Sequence, residues 1–246
     1  MYQTIYITMI GLITGILGTA GGGLLVIGVK KLRETFLCVI LGVSAGIMTV
    51  VVFFDLLPEA LVVGNLWTAL LGLAMGAILI GLLDLTFPHQ HFSSRYEGNQ
   101  RYFKAGLLLA LGIALHNIPE GLAIGAGYSS DTALGLGIAV LMAVQNLPEG
   151  MAVGTTLCMA GMRNSRTLLV TILAGLPMGL GALLGNLLGN ISMFTLSISL
   201  GFAAGAMLYI IFDELIPDAH QKADGHWAIS GILSGIFLGL VLTNLI

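Results

Sequence analysis

Runs of apolar residues separated by short polar breaks make up nearly all of this chain, and each run is about as long as a bilayer is thick. A spanning helix needs roughly 20 predominantly apolar residues. Eight stretches qualify, approximately 5–29, 36–57, 66–83, 105–127, 132–158, 168–189, 195–216 and 227–245. The pattern predicts an all-α, polytopic membrane protein of eight transmembrane helices. It forms one domain over 1–246, because the longest polar stretch, 84–104, is too short to fold alone. Glycines at four-residue spacing, among them Gly42/Gly46, Gly181/Gly185/Gly189 and Gly231/Gly235/Gly239, allow close helix packing where lipid gives helices no hydrophobic reason to associate. Composition agrees: 9% of residues are charged, against roughly a quarter in soluble domains.

Charge sets the orientation. All nine Lys and Arg residues fall in alternate loops: Lys30, Lys31 and Arg33; Arg95, Arg101 and Lys104; Arg163 and Arg166; and Lys222. The positive-inside rule places those loops in the cytoplasm and both termini outside, most simply in a bacterial plasma (inner) membrane. No basic residue precedes the first apolar run, so that run is expected to remain as a span rather than be cleaved as a signal peptide. Cys38 and Cys158 map to the cytoplasmic ends of their helices and are expected as unpaired thiols. Asp131, Glu97 and Asp224 read as solvated loop charges. No nucleic-acid partner is expected, and the lipid bilayer is the main environment.

Polar residues inside the apolar runs carry the chemistry. His116-Asn117-Ile118-Pro119-Glu120-Gly121 in the fourth run is followed 29 positions later by Gln145-Asn146-Leu147-Pro148-Glu149-Gly150 in the fifth. Each segment sets a metal-capable side chain and a carboxylate four residues apart, on one helix face. A proline between them withholds one backbone hydrogen bond, so it is expected to loosen the helix there. His116, Gln145, Met48 and Met207 fall near mid-helix, with Glu120 and Glu149 about one turn away. Ionisable groups at that depth are expensive and point to function. Imidazole with carboxylates suits Zn(II), Fe(II) or Mn(II) better than Cu(I).

A second repeat links the second and seventh runs. Ala45-Gly-Ile-Met48, six residues, then Asp55-Leu-Leu-Pro58-Glu59-Ala60 matches Ala204-Gly-Ala-Met207, six residues, then Glu214-Leu-Ile-Pro217-Asp218-Ala219. By loop count those runs cross the membrane in opposite senses, as do the fourth and fifth. These are inverted-topology repeats, an arrangement frequent in secondary transporters, whose sites lie at the midplane on broken helices. Depth then sorts the outlying groups: Asp55 and Glu59 lie toward the outer face as an entrance, and Glu214, Asp218 and His220 lie toward the cytoplasm as an exit.

Taken together, these motifs resemble the ZIP (Zrt/Irt-like protein) family of divalent metal transporters, and the resemblance spans essentially the whole chain. It implies uptake of divalent cations toward the cytoplasm, zinc first and Fe(II), Mn(II) or Cd(II) as alternatives. The metal is cargo, and no cofactor is expected. It implies a mid-membrane site of His116, Glu120, Gln145 and Glu149, with Met48 nearby. It further implies alternating access in which spans one, four, five and six move against the other four, and a homodimer. Asp84, His89 and His91 resemble the family's His-bearing cytoplasmic loop, where they would receive the departing ion.

Two positions depart from the pattern. Relatives build a second metal position from the Asn of span four, represented here by Asn117, the equivalent residue of span five, here Asn146, and a Glu in span six. That Glu falls on Met178 here, so a full two-metal site is not expected. Asp213 stands where relatives carry His. The competing reading, an intramembrane metal-dependent hydrolase, would call for two or three closely spaced His ligands, whereas His116 is the sole histidine at membrane depth.

Overall fold

A computed structural model describes residues 2–29, 32–86, 99–222 and 226–245. Eight helices are long and apolar enough to cross a membrane: α1 (Tyr2–Val29), α2 (Glu34–Val63), α3 (Leu66–Leu85), α4 (Tyr102–Ser130), α5 (Thr132–Met159), α6 (Asn164–Gly189), α7 (Met193–Gln221) and α8 (Trp227–Leu245). Each coincides with a predicted run, and α2 and α7 continue past the predicted ends. The charge at Asp131 is structural as well as solvated: its carboxylate caps α5, accepting from the amides of Ala133 and Leu134 at 2.8 and 3.2 Å. Ser192 and Thr195 form a capping box that starts α7. Cys38 and Cys158 are unpaired, as expected.

Packing divides the helices into two bundles. The most extensive contacts join α4 to α6, α1 to α5, α3 to α7 and α2 to α8, with further packing of α4 on α5 and α1 on α6. Thus α1, α4, α5 and α6 form one bundle and α2, α3, α7 and α8 the other. The bundles meet where α4 lies on α7 and α5 on α2.

Glycine positions show that the inverted repeat extends beyond the α2/α7 motif. A Cβ on Gly150 would lie 2.0 Å from the Thr19 carbonyl oxygen, and one on Gly121 would lie 2.0 Å from that of Met178. Likewise Gly22 abuts the Leu147 carbonyl and Gly181 that of Ile118, both at 2.1 Å from a built Cβ. Thr19 and Met178, Gly22 and Gly181, Gly46 and Gly205, and Met48 and Met207 are all separated by 159 positions. α1–α3 and α6–α8 are therefore one three-helix unit present twice, and α4 and α5 exchange with each other at an offset of 29.

The helix interruptions differ from expectation. Pro119 and Pro148 lie inside helices that run on uninterrupted. Each proline removes a single hydrogen bond, a local loss that a helix packed among neighbours tolerates. The breaks fall in the partners instead. α2 contains a π-helical segment, Val51–Leu56, ahead of Pro58, with the Leu57 amide donating to the Val52 carbonyl. α7 contains its repeat equivalent, Ile211–Leu215, ahead of Pro217, with Ile216 donating to Ile211. Each π segment ends two residues before its proline, and such turns concentrate at functional positions. α6 is interrupted at Leu176, just before Pro177.

Candidate metal site within the membrane

The two bundles meet around four helices, and the predicted donors converge there. α4 presents His116 and Glu120, and α5 presents Gln145 and Glu149, all buried. The one-turn spacing that brought these pairs onto common faces in the sequence brings them into contact in the fold. Met48 of α2 and Met207 of α7 are both fully enclosed. Met48 lies one turn from Ser44, whose hydroxyl donates to Glu149 Oε1 at 3.2 Å and approaches the Gln145 carbonyl at 3.1 Å. On the opposite side His116 Nε2 lies 3.0 Å from Glu214 Oε1, which the π segment of α7 carries.

A line of amides fixes the middle of the site. Gln145 Nε2 donates to Glu120 Oε1 at 2.8 Å and to Asn146 Oδ1 at 3.3 Å. Asn146 Nδ2 donates to Asn117 Oδ1, and Asn117 Nδ2 donates to the Ala174 carbonyl of α6, both at 2.9 Å. The chain ties α4, α5 and α6 together. Because Gln145 uses its NH₂ in this chain, its Oε1 accepts nothing, and neither do Glu120 Oε2 and Glu149 Oε2. Buried carboxylate and carboxamide oxygens without donors are costly. Together with the His116 imidazole, these oxygens are the donor types that bind divalent cations.

Among the described residues, no group of three or more His, Cys, Asp or Glu side chains is gathered as a ready-made metal cluster. The physical reason is visible in the contacts: His116 is turned to Glu214, Glu149 to Ser44 and Glu120 to Gln145. Asn117 and Asn146 are both engaged in the amide chain, and Met178 is fully buried, its carbonyl against Gly121 of α4 and its Cβ against Gly15 of α1.

The outlying positions separate into two groups. Asp55 is buried on the π segment of α2, where the Thr243 hydroxyl of α8 is its side-chain partner. Glu59 accepts a hydrogen bond from Ser130 at the end of α4. Toward the other end, Asp84 of α3 lies against Tyr209 of α7 and within electrostatic reach of His116. Asp218 is half-buried, and His220 is exposed, its Nδ1 2.9 Å from the Ile216 carbonyl. His89 and His91 lie outside the described residues.

Sequence reasoning missed Ser44 and Tyr209 and gave Glu214 only an exit role. Ser44 carried a usable signal, since it is a polar residue one turn before Met48 on the same face. The His116–Glu214 contact had none, because it depends on how far one bundle is offset along the other.

Residues 86–246 match the family model described as ZIP zinc transporter. The chain is 36% identical to the zinc transporter ZupT of Corynebacterium glutamicum, with 92% of each chain covered. It is 34% identical to the zinc transporter ZupT of Chlorobium phaeovibrioides over 96% of this chain and 95% of that one. It is 38% identical to the zinc transporter GufA of Myxococcus xanthus over 70% of this chain and 68% of that one.

Proposed function

We propose, for a chain that belongs to the ZIP zinc transporter family, that it carries divalent metal cations toward the cytoplasm by alternating access, with zinc the first cargo and Fe(II), Mn(II) or Cd(II) as competitors. The observation that carries this reading is the set of three unpaired buried oxygens, on Glu120, Gln145 and Glu149, beside His116 at the junction of two bundles. His116, Glu120, Gln145 and Glu149 hold the ion, and Met48 supplies a soft wall. The ion enters past Glu59 and Asp55 and leaves past Glu214, Asp84, Asp218 and His220, with His89 and His91 receiving it in the cytoplasmic loop.

Orientation follows the positive-inside rule, with both termini outside an inner membrane. The homodimer implied by the resemblance belongs to the same reading. Alternating access has a physical basis in the packing: extensive contacts lie within each bundle, and the donors sit where the bundles meet. Glu214 pairs with His116 and would be displaced as the ion takes the imidazole.

Purified protein in liposomes tests the proposal. The unmodified chain should accumulate Zn(II), with Fe(II), Mn(II) and Cd(II) competing. Glu149→Ala should nearly abolish uptake at unchanged protein level, because it removes a charge the ion needs in a low-dielectric site. Normal uptake by Glu149→Ala would remove Glu149 from the site.

A further inference from the structure

We infer that Asp55 is the outer counterpart of Glu214: in the opposite state of the transport cycle it meets Gln145 as Glu214 meets His116 here. The inference rests on the transport reading above and concerns a contact absent from the present arrangement.

Its premise is a broken symmetry. The repeat exchanges α1–α3 with α6–α8 and α4 with α5, so Asp55 corresponds to Glu214, Gln145 to His116, and Ser44 to Ala203. A two-fold axis in the membrane plane exchanges the inner and outer faces. The contacts do not obey that exchange. His116 reaches Glu214 on α7, whereas Gln145 lies beside Ser44, 11 residues from Asp55 along α2. The α4/α5 pair therefore sits toward the same membrane face on both partner helices, the face that carries Glu214. Exchanging the roles of the repeats gives a second arrangement of equal standing, with Gln145 at the level of Asp55 and His116 at the level of Ala203. Eleven residues correspond to about 16 Å of helix rise. That is an upper limit on the displacement, because the Gln and Asp side chains span part of it.

Two local features fit Asp55 to this role. It is buried, with the Thr243 hydroxyl of α8 as its side-chain partner, and it lies on the π segment of α2, which already borders α5. The two gates also differ in chemistry. The inner pair joins an imidazole to a carboxylate. The outer pair joins a carboxamide to a carboxylate and offers only a hydrogen bond. Its carboxylate is, after Glu59, the next anionic group that an arriving cation meets on its way to the site.

The test uses full-length protein in liposomes with Cys38 and Cys158 replaced by Ala. Asp55→Cys with Gln145→Cys should form a disulfide on oxidation with copper phenanthroline, as should Ser44→Cys with Gln145→Cys, the pair adjacent in the present arrangement. A Ser44–Gln145 link without an Asp55–Gln145 link would overturn the inference, since Gln145 would then never leave the Ser44 level. Uptake kinetics give a second arm with the site's ligands intact. Asp55→Ala should raise the half-saturating external zinc concentration at least five-fold with little change in maximal rate, whereas Glu214→Ala should chiefly change the maximal rate. An unchanged half-saturation value in Asp55→Ala would likewise overturn the inference. Absence of any uptake by the unmodified protein would instead count against the transport reading, while the crosslinks would still report the pairing.

Discussion

Asn146→Ala distinguishes an amide that orders the site from an amide that binds a second ion. Asn146 receives Gln145 Nε2 at 3.3 Å and donates to Asn117 at 2.9 Å. Truncation removes both bonds at once and leaves Asn117 Oδ1 buried without a donor. Interhelical hydrogen bonds within membranes average about 0.6 kcal/mol, and a buried group left unpaired costs about 1–3 kcal/mol. The one lost interhelical bond and the orphaned acceptor therefore sum to roughly 2–4 kcal/mol. For a domain of this size that lowers the unfolding midpoint by roughly 5–15 °C. The assay is thermal unfolding in detergent alongside metal counting on the same preparation. Asn146→Ala should lose stability while the number of tightly bound ions stays at one. A fall from two ions to one with an unchanged midpoint would refute the reasoning and make Asn146 a ligand.

Other expectations follow from the same geometry. Met178→Glu restores the carboxylate that the family resemblance puts in span six, where a thioether cannot offset a second divalent charge, and should raise the tightly bound count toward two by calorimetry. Gly150→Ala should sharply reduce folded protein in size-exclusion profiles, because its Cβ would meet the Thr19 carbonyl at 2.0 Å, while Gly28→Ala, with nothing within 4 Å of its Cβ, should behave as the parent. Single cysteines at Asn65 and Ile191 should react with an impermeant thiol reagent from outside and one at Ser165 should not; the reverse pattern would exchange entrance and exit.

Much of the fold was legible because a bilayer imposes few options. Apolar run length gave all eight helices, and the spacing of His116 to Glu120 and Gln145 to Glu149 placed the donors on facing surfaces, since helical period alone decides that. The α2/α7 repeat was readable because its polar and proline positions stand out from an apolar background. The α1/α6 and α3/α8 equivalences were not, because they consist of glycines and small residues that any packed membrane bundle uses. The helix breaks were misplaced for a related reason. A proline states that one hydrogen bond is missing but not how the helix responds: Pro119 and Pro148 sit in unbroken helices, while Pro58 and Pro217 follow π segments. The contact of Glu214 with His116 belongs to the offset between bundles, which no local pattern encodes.

The central claim is that one divalent ion sits between α4 and α5 on His116, Glu120, Gln145 and Glu149. Anomalous diffraction at the zinc edge from zinc-loaded crystals measures it most directly. The account predicts one strong midplane peak per chain, at about 2.0–2.2 Å from a His116 nitrogen and from carboxylate oxygens of Glu120 and Glu149. A strong peak only near Asp84 or His220, or two strong midplane peaks at Asn117 and Asn146, would contradict it.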